Sequence, residues 1–309
     1  MAASKEVNVM KIVKYRKIYI AISVVVILIG IAAMIFNSVK GNGAFNYDIQ
    51  FTGGTSIQVD LGTEVTDDEV SQIVQDVTGE APAQIQSLEG TSKIIKTKSL
   101  DVETRNAVQD ALKEKYGIEN DSFTIQDVSG TISAEMKKNS VLSIVISCVC
   151  MLIYVSLRFK DFNIGASAVL ALCHDALIVT GSYALLRIPF NNNYIAVVLT
   201  ILGYSINATI VIFDRLRENR KIIGRNNFEA LVDTAVTQTL TRSIFTSLTV
   251  FFTVVCLCIW GVDSIKQFAL PIAVGVVAGA YSSVFISGNI WYVMASSKFN
   301  KKQAKLGKK

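Results

Sequence analysis

Six runs of about 20 apolar residues, near 18–36, 139–157, 165–186, 193–213, 243–262 and 270–294, dominate this sequence. As a helix, each is long enough to cross a hydrocarbon layer of ~30 Å, and in lipid the backbone polar groups must be satisfied within the segment itself. A chain built this way folds as a polytopic α-helical membrane protein. Hydrophobic residues make up 51% of 309 and mean hydropathy is +0.43, too apolar for a soluble domain. One long aqueous stretch remains, residues 38–138, between the first run and the second.

Lys11, Lys14, Arg16 and Lys17 precede the first run in the manner of a signal peptide. The run is longer than a usual signal core and no small-x-small cleavage site precedes the polar turn, so it reads as an uncleaved anchor. Six crossings place both termini on one side. Those bases, then Arg158 and Lys160, then the Arg215–Arg225 cluster with Arg242, then Lys298–Lys309 share that side, against only Arg187 and Lys266 in the two short loops opposite. The positive-inside rule makes the basic side cytoplasmic. The expected organisation is a cytoplasmic tail 1–17, a first span 18–37, an extracytoplasmic domain 38–138, a five-span bundle 139–294 and a basic cytoplasmic tail 295–309.

Residues 38–138 hold 17 of the 25 acidic residues against 9 Lys/Arg, so the overall +5 hides an acidic outer domain and a basic inner face. That balance disfavours nucleic acid and suits the inner face to anionic lipid headgroups. All five cysteines fall inside predicted spans, which leaves the outer domain without a disulfide framework. Cys148 and Cys150 point about 200° apart on a helix, which favours packing over metal binding. No metal or cofactor site is expected.

Between residues 48 and 129 the pattern reads βαββαβ. Ile57, Val59 and Leu61 alternate with Gln58 and Asp60 as a half-buried strand, and Thr66 with Glu69 forms a capping box for a helix ended by Gly79 and Pro82. Strands at Gln84–Leu88 and Lys93–Thr97 meet at a turn over Glu89-Gly90, a second helix runs from Asp101 to Tyr116, and Phe123, Ile125 and Val128 mark the last strand. This order predicts an inserted α+β, ferredoxin-like domain. It has no His, no Cys and no nucleophile–base pair, so it reads as a binding or moving part and not as an enzyme. Phe51-Thr52-Gly53-Gly54-Thr55 opens it; the paired glycines suit a hinge, and the Lys-Ser/Thr of a phosphate-binding loop is absent.

Asp175 lies in the middle of the third apolar run, with no other carboxylate within ten residues. An ionisable group near the bilayer midplane costs at least ~2.5 kcal/mol, so it belongs to an ion or proton pathway or is held by an interhelical hydrogen bond. His174, the only histidine, sits about 100° around the same helix and suits either packing or proton transfer. In the fourth run Gly203, Asn207, Ile210 and Asp214 share one helical face, with Asp214-Arg215 at its end as part of that stripe or as an interfacial anchor. Ser140, Ser143, Ser147, Cys150 and Tyr154 in the second run, and Gly275-x-x-x-Gly279 in the last, read as packing stripes.

Together, Phe51-Thr52-Gly53-Gly54-Thr55, His174-Asp175, Gly203-Tyr204-Ser205-Ile206-Asn207, Phe213-Asp214-Arg215-Leu216-Arg217-Glu218-Asn219 and Gln238-Thr239-Leu240-Thr241-Arg242-Ser243 resemble, in order and spacing, the SecF family of protein-export membrane proteins (SecD/SecF, RND superfamily). The resemblance runs from the first span to the last. It implies a six-helix RND-like bundle in a bacterial cytoplasmic membrane, paired with SecD as a heterodimer and associated with the SecYEG channel and a YidC-like insertase. Such a subunit would use the proton-motive force, with protons as the only coupling species, to help pull translocating polypeptide outward after an ATP-driven step.

The resemblance maps a proton relay onto Asp175, His174, Asn207, Asp214 and Arg215, a hinge onto Phe51 through Thr55, and a cytoplasmic motif onto Arg217, Glu218, Gln238 and Arg242. Two positions depart from the family pattern. Gln50 stands where Asp is common, and Ala208 replaces an Asp after Asn207, leaving Asp175 as the one deep acid. A second relay acid then comes from SecD, expected as a separate chain, or is unnecessary. With no internal repeat, a lone bundle should present its polar stripe, Asp175 included, at a seam with a second bundle. One charge crossing 100 mV supplies ~2.3 kcal/mol, enough to shift a two-state equilibrium about fiftyfold. The competing readings are an RND-type small-molecule or lipid exporter half and a purely structural assembly subunit.

Overall fold

The computed structural model describes residues 9–41, 43–88, 90–224 and 226–306. The chain begins with α1 (Arg16–Val39), a two-residue strand β1 (Asn46–Tyr47) and a single turn α2 (Ile49–Thr52). The outer domain follows as β2 (Gly54–Asp60), α3 (Asp67–Thr78), β3 (Gln84–Ser87), β4 (Ser92–Thr97), α4 (Val102–Tyr116) and β5 (Phe123–Val128). Then come α5 (Gly130–Phe159), α6 (Phe162–Leu185), a short β6 (Pro189–Phe190), α7 (Asn192–Asn219) and α8 (Phe228–Trp260). Last, α9 (Asp263–Tyr281) passes through a π-helical segment, Ser282–Ser287, into α10 (Gly288–Leu306). Among the described residues six helices are long and apolar enough to cross a membrane.

Several of these helices extend well beyond their apolar runs. α5 starts at Gly130, capped by the Ser129 hydroxyl, which accepts from Ile132 N, and carries polar turns before its apolar portion. α8 starts at Phe228 because Asn227 caps it and Leu231, Val232, Ala235, Val236 and Thr239 bury one face of an amphipathic first half. The basic residue Arg225 and the terminal Lys308 and Lys309 lie outside the described residues.

The four-stranded sheet has the order β3-β4-β2-β5 with every pairing antiparallel, the ferredoxin-like arrangement. Ile57, Val59 and Leu61 are fully buried against Val70, Val74, Val108 and Leu112 of α3 and α4. Thr66 caps α3 by accepting from Glu69 N at 3.4 Å, while Gly79 and Gly117 end α3 and α4 in the left-handed conformation. Of the expected Glu89-Gly90 turn, Gly90 has φ +77°, and Glu89 lies outside the described residues.

Strand pairing, ring packing and hydrogen bonds at its root fasten this domain to the bundle. β1 pairs in parallel with β6 in the loop between α6 and α7, and Phe45, Tyr47, Phe51, Phe190, Tyr183 and Tyr194 pack ring against ring around it. Asp48 caps α2 and accepts from Lys96 Nζ at 2.7 Å, with the Lys96 side chain buried and Asp48 half-buried. Gly53 (φ +77°) and Gly54 (φ +139°) turn the chain from α2 into β2, and any side chain at Gly54 would strike the Thr97 carbonyl oxygen. Thr55 Oγ1 donates to Asp127 Oδ1 at 2.6 Å. The expected hinge is thus a tightly bonded junction.

Candidate proton site in the membrane bundle

Residues of α6 lie deep in the bundle, packed by α1, α5, α7 and α9. Glycines allow the close approach. A Cβ on Gly30 of α1 would lie 2.8 Å from Gly181 Cα of α6, and one on Gly279 of α9 would lie 3.0 Å from Ser205 Cβ of α7. Gly275 similarly accommodates Ile201. The small-residue stripe of α9 therefore brings α7 and α9 together directly above α6 residue Asp175.

Asp175 is completely buried. Its Oδ1 is 2.9 Å from His174 Nδ1, and its Oδ2 accepts from Ser205 Oγ at 2.6 Å and Ser282 Oγ at 2.7 Å. Ser282 is the first residue of the π segment, where the widened turn interrupts the α-helical register next to the buried acid. His174 Nε2 in turn lies 2.9 Å from Ser23 Oγ on α1, and the Tyr281 ring stacks over the imidazole at 6.3 Å between centroids. Three elements thus converge on one carboxyl group, and α1 joins through His174.

The donors and acceptors form a chain. With an ionised carboxylate, Nδ1–H donates to Asp175 and Nε2 accepts from Ser23; with a protonated carboxyl, the imidazole can take the other tautomer and donate to Ser23. A proton can be held at either end without leaving a buried group unpaired. On the side of α1, α8 and α9, an apolar cavity of about 580 Å³ reaches Ser23 and His174.

Asp175, expected at a seam with a second bundle, exposes no surface of its own. The helices of this chain alone enclose it, because α7 turns Ser205 and Thr209 inward rather than the Gly203–Asn207 stripe. Asn207, two residues from Ser205 and about 200° around the helix, is exposed in a small recess with Tyr204, Ala208 and Arg242. It has no side-chain hydrogen bond among the described residues. Asp214 sits 3.8 Å from Arg158 at the helix end. Arg215 donates to Gln238 Oε1 and to Glu218 Oε2, both at 2.7 Å, and Asn219 Nδ2 donates to Gln238 Oε1 at 3.0 Å. Arg217 and Arg242 are exposed. The residues mapped to the relay therefore fall into three separate places: His174 with Asp175, Asn207 in its recess, and Asp214 and Arg215 near the bases at the end of α7.

Sequence reading missed Ser23, Ser205 and Ser282 as ligands of the pair, for each looks like an ordinary small packing residue of a spanning helix. It also missed Asp233, whose Oδ1 accepts from Val13 N at 2.9 Å and ties the segment before α1 to α8.

A family described as "Protein export membrane protein SecD/SecF, C-terminal" matches residues 107–297. The chain belongs to this family. It is 32% identical to the protein translocase subunit SecF of Sebaldella termitidis, covering 97% of this chain and 96% of that one. To the SecF of Synechocystis it is 34% identical, over 90% of this chain and 92% of the other. The crystal structure of SecDF, a translocon-associated membrane protein, from Thermus thermophilus aligns at TM-score 0.79 and 29% identity. That alignment covers 95% of this chain but 39% of the solved one. Family and fold agree with the sequence-based expectation of a polytopic helical membrane protein carrying an inserted α+β domain.

Proposed function

We propose that this chain is an accessory subunit of the Sec protein translocase, a multi-pass protein of a bacterial membrane that couples proton movement at Asp175 to polypeptide export. The supporting observation for coupling is the complete burial of Asp175 among spanning helices, with partners on three elements that suit both its ionised and its protonated form. Proton uptake changes what Oδ2 offers to Ser205 and Ser282, so α7 and the π segment feel the charge on α6. α6 leads directly into β6, which pairs with β1, and Asp48 N donates to Phe190 O at 3.1 Å. A displacement of α6 against α7 thereby reaches the root of the outer domain.

In this reading SecD supplies the second bundle, SecYEG the channel and a YidC-like insertase a further neighbour. The basic side, with both termini, faces the cytoplasm and the acidic domain the outside. The chain works without catalysis or a cofactor, the coupling species being the proton. Asn207 and its recess then face outward as contact surface, with Asp214, Arg215, Arg217, Glu218, Gln238 and Arg242 at the cytoplasmic end of the bundle.

The test is an export assay in membrane vesicles containing the translocase with this chain or its Asp175→Asn variant. The variant should assemble and support ATP-driven export while losing the increment that an imposed proton gradient adds. Retention of that increment would overturn the coupling.

A further inference from the structure

The outer sheet has two unlike faces. α3 and α4 cover one, and their outer surface carries exposed carboxylates such as Asp68, Asp76, Asp110 and Glu114. The other face is free of helices. Strand register sets two rungs across it, Gln86–Ile94–Gln58–Thr124 and Gln84–Lys96–Ser56–Gln126. In a segment with 17 acidic residues, neither rung contains a carboxylate, and the one charge, Lys96, is neutralised by Asp48.

This face does not open to bulk water alone. Gln58, Gln86 and Gln126 line a cavity of about 230 Å³ whose opposite wall is Asn191, Asn193, Ser264 and Gln267, at the adjoining ends of α7 and α9. Asp48, paired with Lys96, and Gln50 stand at its edge, and Gln50 Oε1 accepts from Asn192 N at 3.0 Å. The side chains of Gln58, Gln86 and Gln126 make no hydrogen bond to other groups among the described residues.

We infer that this amide-lined groove between the bare sheet face and the ends of α7 and α9 binds an extended, unfolded stretch of polypeptide. The inference rests on the reading of the chain as a translocase subunit. A side-chain amide presents one carbonyl and one NH₂, matching the groups that a peptide unit presents, so it can pair with any sequence. Successive same-face residues of the strands lie ~6.8 Å apart, the spacing at which an extended peptide repeats its own groups. Ile49, Leu88 and Ile94 add apolar surface for passing side chains.

Other occupants fit less well. A second sheet packed face to face would need apolar inner faces, and these two rungs contain one apolar residue, Ile94. An anionic ligand would need an unpaired cation, and Lys96 is already bonded to Asp48.

The experiment places a benzophenone amino acid at Gln58 or Gln126, and for comparison at Asp76 or Glu114, in the full chain assembled with the translocase and arrested with a radiolabelled export substrate. Cross-links to the substrate from Gln58 and Gln126, several-fold above those from Asp76 and Glu114, are expected, and Gln58→Glu should lower capture from the Gln126 position when the arrested stretch is acidic. Cross-links from the sheet positions to another membrane subunit, or equal yields from both faces, would overturn the inference. Resistance to trypsin identifies folded variants, so loss through misfolding is separated from loss of binding. If Asp175→Asn abolishes proton-dependent export while the sheet positions capture nothing, this inference alone fails; if removing the chain leaves export unchanged, the translocase reading fails.

Discussion

Replacing Gly30 by Ala should loosen α1 from the proton site without substituting any residue of that site. The added Cβ would fall 2.8 Å from Gly181 Cα, and the neighbour is backbone, so the helices must part or tilt. Reaching the ordinary carbon contact of ~3.5 Å requires about 0.7 Å. Seven residues to either side, the same seam carries Ser23 against His174 Nε2 and Asn37 Nδ2 donating to the Ala184 carbonyl, both at 2.9 Å. A shift of about 0.7 Å would lengthen these to about 3.6 Å, beyond useful hydrogen-bond range. Overpacking costs about 1–3 kcal/mol and each of the two lost hydrogen bonds about 0.5–1.5, so the variant should lose about 2–6 kcal/mol. Reversible unfolding in mixed detergent micelles measures this. The double variant Gly30→Ala with Gly181→Ala should be non-additive, since both substitutions act on one contact. A Gly30→Ala protein within ~0.5 kcal/mol of the unaltered chain, below the normal cost of overpacking, would refute the reasoning.

Two further predictions concern the root of the outer domain. Gly54→Ala forces a Cβ toward the Thr97 carbonyl at φ +139°, and backbone strain of about 1–3 kcal/mol should appear as a lower urea midpoint for protease resistance of the domain. Asp48→Ala strands the Lys96 ammonium, whose side chain is 7% exposed, and should cost about 3–5 kcal/mol in the same assay. Adding Lys96→Met should recover most of that loss; equal stability of the single and double variants would show that the pair carries no such weight.

The outer domain was legible because its signals are local. Period-two alternation at Ile57–Leu61, the Thr66–Glu69 cap, and glycines 79 and 117 act within a few residues, and the structure follows them. Apolar runs marked all six crossings but not where the helices begin: the first half of α8 is amphipathic, and the polar residues opposite its buried stripe from Leu231 to Thr239 dilute mean hydropathy. Asp175 and His174 stood out because charge and imidazole are rare among aliphatic neighbours. Their hydroxyl partners did not, since Ser23, Ser205 and Ser282 lie 30 to 151 residues away and resemble ordinary small packing residues. The inward face of α7 was misjudged for the same reason. Asn207 is the more polar side chain, yet Ser205 and Thr209 are buried, while amide and glycine point outward. Neither the π segment nor the two-residue pairing of β1 with β6 leaves a periodic trace.

The central claim is that the buried carboxyl of Asp175 gains and loses a proton during work. Infrared difference spectroscopy on the chain reconstituted with its translocase partners, with and without an imposed proton gradient, reads that event as the carbonyl stretch of a protonated carboxylic acid. The account predicts a gradient-dependent band in the unaltered protein that disappears in Asp175→Asn. An unchanged carboxyl spectrum, or a band that persists in the variant, would contradict it.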